Sequence, residues 1–204
     1  VRREEILVEI KGQRVFLRDF VEEDIGDRIR WETIETEWLE WDAPWEEEPF
    51  DPDEYRSRMK KRLSIEQDPD RFRHGFQICI NDETQKHIGW INAYHIDNDY
   101  CYTSDDGKFT IGIVIADLGS RRKGYATEAW NLYIKYALDS GIEDIYTQTW
   151  SGNTRVIGLM KKLGFEECHR EEGIRMVRGE LYDGLTFKLN VLKYKEFNRE
   201  VEPK

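Results

Sequence analysis

Three consecutive cations and a glycine stand where an apolar run gives way to a helical pattern: Ser120-Arg121-Arg122-Lys123-Gly124-Tyr125-Ala126-Thr127-Glu128-Ala129. The chemistry these residue types can do together is anion binding. The first turn of a helix carries unpaired N–H groups and a partial positive charge. Gly124 lets the backbone turn tightly and lets a ligand come close. Arg121, Arg122 and Lys123 add charge at the same point, which suits a phosphate-bearing ligand. Thr127 falls in the first helical turn, within reach of a phosphate oxygen, and Glu128 complements the helix dipole there. A plain strand–loop–helix junction with a solvated basic loop fits the same residues equally well. The dinucleotide fingerprint G-x-G-x-x-G and the P-loop G-x-x-x-x-G-K-[ST] are both absent.

A second group of residues has the opposite charge. From Trp31 to Glu54 the sequence has eleven acids and no Lys or Arg, with Trp38, Trp41 and Trp45 interleaved. Acids attract a polycation and Trp faces favour ammonium groups, so Trp41, Glu46, Glu47 and Glu48 are candidates to bind a cationic acceptor. A solvated acidic loop with its Trp residues in the core or at a dimer contact is the other reading. Net charge is −11, and outside this segment 31 acids balance 31 bases. A nucleic-acid-binding protein would need a basic face, so that class is excluded.

The elements that must position these groups follow from periodicity. Phe109 to Ile115 reads as a strand into the loop. Ala126, Ala129, Trp130, Tyr133 and Ala137 continue from it as one helical face, with Gly141 as the stop. Residues 6–10 and 14–18 read as strands and 21–31 as a helix. Asp51-Pro52-Asp53-Glu54 starts another helix, capped by Asp51, with Tyr55, Met59 and Leu63 as its buried line. Residues 73–80 and 86–95 read as strands, as do 144–150, 166–170, 174–178 and 185–191, with Asp183-Gly184 as a turn. Asn153 caps a helix over 154–163, stopped by Gly164. Strands and helices mixed in this way predict an α+β sheet with helices on its faces.

A length of 204 residues predicts one domain with a sizeable core. No apolar run reaches the ~18 residues of a membrane span, and Val1-Arg2-Arg3-Glu4-Glu5 lacks the apolar core of a signal peptide. Cys79, Cys101 and Cys168 are widely spaced and odd in number, fitting neither a disulfide framework nor a zinc site. They read as small buried residues in a reducing cytoplasm.

Arg121-x-x-Gly124-x-Ala126 resembles the [QR]-x-x-G-x-[GA] motif of the GNAT family of N-acetyltransferases. Asn153 through Phe165, ending Lys162-Leu163-Gly164-Phe165, is similar to the family's N-x-x-S…KLGF segment. Lys11-Gly12-Gln13-Arg14-Val15-Phe16-Leu17-Arg18 resembles the opening strand of its ribosomal-protein and spermidine branch. Three blocks in the family's order span nearly the whole chain. The resemblance implies the GNAT fold: a mixed, mostly antiparallel sheet flanked by helices around a strand–pyrophosphate loop–helix core. It implies a single acetyltransferase domain over 1–204, with acceptor-side helices at about 21–67 and an acetyl-coenzyme A core at about 108–165.

The same resemblance implies roles for single residues. Backbone amides around Arg121, Arg122, Lys123, Gly124, Tyr125, Ala126 and Thr127 would hold the pyrophosphate. Ile113, Val114 and Ile115 would pair with the pantetheine arm, and an amide there would hold the oxyanion formed when an amine attacks the thioester. Asn153 would cap its helix and also bond the arm. Arg155 and Lys162 would reach the phosphates or the adenine side, with solvated helix cations the equal alternative. Trp41 to Phe50 loosely resembles the acidic-aromatic region of the spermidine branch.

Three departures leave the catalytic residues unassigned. The family's acid Tyr is Met160 here and its Ser is Val156, while Phe109–Ile115 holds no Glu base. His95, Asp97, Asp99 and Tyr133 fit surface or core positions better than a base. Positioning and a water relay then carry the reaction. The expectation is an acetyl-coenzyme A-dependent, metal-free N-acetyltransferase of the cytoplasm, acting on a primary amine of a polyamine, an aminoglycoside-like compound or a protein N-terminus. A homodimer is expected from the family. A non-catalytic acyl-coenzyme A-binding module is the alternative.

Overall fold

The computed structural model describes residues 7–46, 49–65, 68 and 70–201. In chain order the elements are β1 (Glu9–Lys11), β2 (Val15–Arg18), α1 (Asp24–Thr33), a 3-10 turn (Thr36–Glu40), α2 (Pro52–Leu63), β3 (Gly75–Ile80), β4 (His87–Ile96) and β5 (Tyr102–Thr103). Then follow β6 (Lys108–Ile115), a second 3-10 turn (Leu118–Ser120), α3 (Tyr125–Asp139), β7 (Ile145–Trp150), α4 (Thr154–Lys162), β8 (Phe165–Val177), β9 (Glu180–Leu189) and α5 (Val191–Val201). The strands form a mixed sheet in the order β1-β2-β3-β4-β6-β7-β9-β8, with β5 paired to β4. The α+β expectation is met. No helix of the described residues is long and apolar enough to cross a membrane.

The described residues divide into two compact units. The first draws on Val1–Glu40, Glu47–Ile91 and Ile113–Leu132. Its antiparallel ladder sets Ile10 against Leu17 and Leu17 against Ile78. Alternate side chains of β2 and β3 therefore enter a core with Val15, Leu17, Phe76 and Ile78 fully buried. Arg18 grips Asp24 with two bonds of 2.6 and 2.7 Å, which fixes the start of α1. Asp24, Asp27 and His87 bring ligand-type atoms within 4.8 Å of one another. The Arg18 guanidinium already meets Asp24 there, so a cation would find that carboxylate engaged.

Trp31 and Trp38 lie in an aromatic cluster with Val114, Ala116 and the half-buried Trp90. Trp38 Nε1 donates to the Trp31 carbonyl at 2.8 Å. Arg28, held by Glu32 at 2.8 Å, stacks 3.5 Å from the Trp90 ring. Asp51 caps α2 as expected, accepting from the amides of Asp53 and Glu54. The expected buried line on α2 is a correction: Tyr55, Met59 and Leu63 are only half-buried and the helix has no buried residue. Five basic residues, Arg56, Arg58, Lys60, Lys61 and Arg62, keep that helix at the surface.

The second unit draws on Trp41–Glu46, Asn92–Gly112 and Tyr133–Lys204. Here β6 and β7 run parallel through two pairs, Phe109 with Ile145 and Thr110 with Tyr146. From Thr147 to Trp150 the described pairs of β7 lie on its other side, with β9. Three corrections concern the tail. The stretches 166–170 and 174–178 form one strand, β8, interrupted by irregularities. Its turn into β9 is Arg178-Gly179, with φ of 51° and 85°, a two-residue turn of left-handed residues suited to a hairpin. Asp183 instead accepts from the Gly173 amide at 2.9 Å, inside the ladder. The helix α5 and the short β5 lay outside the sequence expectations. Of the cysteines, Cys79 is buried while Cys101 and Cys168 are exposed, so the expectation holds for one of three.

Candidate functional site

In the first unit the basic loop is built by long-range contacts. Arg121 Nε donates to the Ile115 carbonyl at 2.9 Å, and its guanidinium pairs with Glu37 at 3.2 Å. Arg121 thus ties the end of β6 to the loop that follows it. Arg122 and Gly124 both take positive φ, 60° and 80°. A Cβ on Gly124 would stand 2.8 Å from the Arg14 guanidinium. Arg14 donates from Nη1 to the Lys123 carbonyl at 2.8 Å. Its amide and Nε reach Glu128 at 2.8 and 3.2 Å. Glu128 therefore clamps the start of β2 onto α3, a fuller role than complementing a dipole.

The result is a run of amides without main-chain partners. The first main-chain bond of α3 is Glu128 N–H to the Gly124 carbonyl, at 3.3 Å. Among the described residues, no main-chain bond uses the amides of residues 122–127. Successive unpaired N–H groups around left-handed residues form a nest that fits a phosphate, and the Arg122 and Lys123 side chains stand exposed beside it. Tyr125, Ala126 and Thr127 are half-buried behind them.

Leading into the loop, Val114 is buried and Ile113 and Ile115 half-buried. Gly89 permits this geometry, because a Cβ there would fall 2.0 Å from the Val114 carbonyl oxygen. Asp117 turns the chain. Burial works to raise its pKa, but bonds from Lys86 and Ser120, both 2.6 Å, hold it below the usual carboxylate range.

In the second unit the end of β7 and the start of α4 gather a different set. Asn153 is 8% exposed and caps α4, its Oδ1 accepting from the Val156 amide at 3.4 Å. Its Nδ2 donates to the Trp41 carbonyl at 2.7 Å, and Trp150 Nε1 donates to the same oxygen at 2.9 Å. The Arg155 guanidinium lies 4.0 Å from the Trp41 ring, and that of Arg175 4.6 Å from the Trp45 ring. Trp45 and Trp150 meet edge to face at 6.3 Å. The structure thus brings together Asn153, Arg155 and Trp41. Glu46 is exposed, its amide donating to the Ala43 carbonyl at 2.9 Å. Glu47 and Glu48 lie outside the described residues. Lys162 sits at the far end of α4, about 12 Å along the axis, near the Phe197 ring at 5.8 Å. It does not join Asn153.

The other acid–base candidates are occupied elsewhere. Tyr133 is fully buried and burial pushes its phenol far up. Asp97 accepts from the amides of Asp99 and Cys101, both 2.9 Å, and shapes a turn. His95 packs edge-on to Phe109. Arg14 and Glu37, which shape the loop, escaped the sequence reading as site residues. Arg14 is 109 positions from the carbonyl it holds, and no local pattern signals a bond of that span.

The family model of the acetyltransferase (GNAT) domain matches residues 14–166. No curated protein matches the sequence. Among solved structures, a GNAT-family acetyltransferase from Bacillus anthracis superposes with a TM-score of 0.66 at 18% identity, over 89% of this chain and 98% of that one. RimL, the ribosomal L7/L12 alpha-N-protein acetyltransferase, in complex with coenzyme A gives 0.66 at 13% identity, over 89% and 97%. A spermidine N-acetyltransferase SpeG chimera from Vibrio cholerae and hSSAT gives 0.62 at 18%, over 90% and 99%.

Proposed function

Because the chain belongs to the GNAT acetyltransferase family, we propose that it is an acetyl-coenzyme A-dependent N-acetyltransferase acting, as one domain, on a primary amine. The observation that carries the reading is the nest of unpaired amides at residues 122–127, flanked by Arg122 and Lys123. That nest would hold the pyrophosphate of the coenzyme, with Arg121 fixing the loop to β6 through the Ile115 carbonyl. The end of β6 at Ile113–Ile115 would present backbone groups to the pantetheine arm. Asn153, which caps α4, would bond the arm.

The coenzyme supplies an acetyl group activated as a thioester. Acetyl transfer forms one C–N bond and breaks one C–S bond. The attacking amine must be neutral, and it sheds a further proton as the amide forms, while the departing thiolate takes one up. No side chain of this protein stands assigned to these proton transfers; a thiolate is a tolerable leaving group without an acid. The chain's contribution is then position and oriented amides.

The acceptor is a cationic amine: a polyamine, an aminoglycoside-like compound or a protein N-terminus. The acids of the Trp31–Glu54 segment, Glu46 to Glu48 among them, support this by attraction. A thiol-release assay with acetyl-coenzyme A against spermidine, spermine, aminoglycosides, amino acids and N-terminal peptides tests it. Turnover on one class identifies the acceptor. Coenzyme binding with silence across the panel would favour a non-catalytic acyl-coenzyme A-binding module, the reading that Met160 and Val156 support.

A further inference from the structure

Trp41 is held by its backbone and by its ring, which leaves one group over. Its carbonyl accepts two donors at the end of β7 and the start of α4, from Trp150 and Asn153. One ring face is covered by Arg155 at 4.0 Å. Its indole Nε1 is buried and has no hydrogen-bond partner among the described residues. A buried donor left unpaired carries a desolvation penalty with nothing against it, and such groups point to a partner. Trp31 Nε1 shares this state, but Trp31 is fully enclosed in the core, where no ligand arrives. Trp41 is half-buried, and one of the residues that fix it, Asn153, is proposed above to bond the coenzyme's arm.

We propose that the Trp41 indole N–H donates to a carbonyl oxygen of the coenzyme's pantetheine arm. Trp41 is then a coenzyme-positioning residue and not part of the acceptor site. This rests on the reading that Asn153 faces the arm. The arm carries two amide carbonyls, acceptors of the chemistry an indole N–H needs. With one face under Arg155, the Trp41 ring is also a poor platform for an acceptor's ammonium group. The segment Trp41–Glu46 then divides its work: Trp41 serves the coenzyme, and the acids beyond it serve the amine.

The test is titration calorimetry of Trp41→Phe, which keeps a ring under Arg155 and the carbonyl for Asn153 and Trp150 but removes the N–H. Acetyl-coenzyme A should bind about five- to tenfold more weakly, the worth of one hydrogen bond. Adenosine 3′,5′-bisphosphate, which lacks the arm, should bind as before. An unchanged Kd for acetyl-coenzyme A overturns the proposal. So does an equal loss for both ligands, or a raised acceptor KM with coenzyme affinity intact. A wild-type chain that binds no acetyl-coenzyme A fails the underlying reading instead, before any variant is made. NMR of the folded wild type gives a second measurement. Of its seven indole N–H signals, that of Trp41 should move with acetyl-coenzyme A and stay still with the bisphosphate; a Trp41 signal indifferent to both overturns the assignment.

Discussion

The side-chain amide of Asn153 donates to the main-chain carbonyl of Trp41 at 2.7 Å, across 112 positions of sequence. One carboxamide therefore does two things: its oxygen caps α4 and its nitrogen holds the acidic, Trp-bearing segment. Removing the side chain should loosen both. Asn153→Ala is expected to cost about 1 kcal/mol for the cap alone, and more with the second bond, measured by denaturant unfolding. Asn153→Asp keeps the cap and replaces the donor by an acceptor facing the Trp41 carbonyl. It should also be destabilised, through the lost second bond and a buried carboxylate set against a carbonyl, and should show faster proteolysis within residues 41–46 than wild type. Equal protection of that segment in both proteins would argue against the bond.

Gly124 has a φ of 80° and faces the Arg14 guanidinium. Gly124→Ala should cost about 1 kcal/mol from the left-handed backbone and displace Arg14. Gly124→Glu adds a carboxylate where the pyrophosphate would sit. It should abolish acetyl-coenzyme A binding in calorimetry; affinity retained at the wild-type level would remove the loop from the coenzyme site.

Replacing Glu46, Glu47 and Glu48 by Gln should raise the KM for a cationic amine and leave coenzyme affinity alone. The effect should shrink as salt rises, since exposed charges are screened within about 8–10 Å at 0.1–0.15 M. Steady-state kinetics at two ionic strengths check this, and an unchanged KM at low salt would clear the acids of the role.

Asp117 gives a pH dependence with a defined sign. Its folded pKa is held below the usual range. Its contribution to stability is then full above the unfolded value of about 3.9 and is lost as pH falls through the folded one. The gap in melting temperature between wild type and Asp117→Asn should be wide at pH 7 and close as pH drops toward 3. A gap that stays constant with pH would show that the carboxylate's ionisation carries none of the difference.

Burial pushes the Cys79 thiol up to about 11, against weaker opposition from Arg18. Cys101 and Cys168 are exposed. Thiolate is the reactive form, so a disulfide reagent at pH 8 should titrate two thiols in the folded protein and the third only on unfolding. Three fast thiols without denaturant would contradict the packing of β3 against β2.

What could be read without coordinates was whatever depends on neighbours in sequence. The apolar alternation of Phe109–Ile115, the face of Ala126 to Ala137, the Asp51 and Asn153 caps and the Gly124 turn are all settled within a turn or two of chain. The three family blocks lie in that same class. The β8–β9 hairpin was misplaced for a related reason: Asp183-Gly184 carries the stronger local turn signal. The ladder registers decide otherwise, because Asp183 is engaged by Gly173 across the pair.

Tertiary structure decided what the charges do. In the sequence, Arg14, Arg121 and Arg155 are three cations and Glu37 and Glu128 two acids, each as free as any other. Folding spends Arg14 on Glu128 and the Lys123 carbonyl, Arg121 on Ile115 and Glu37, and Arg155 on the Trp41 ring. That leaves the amides of 122–127 without main-chain partners and the Trp41 N–H without an acceptor among the described residues. The physical reason is range. Periodicity and capping act over a few residues, while the partner of a long charged side chain is chosen by which distant segments the core brings alongside it.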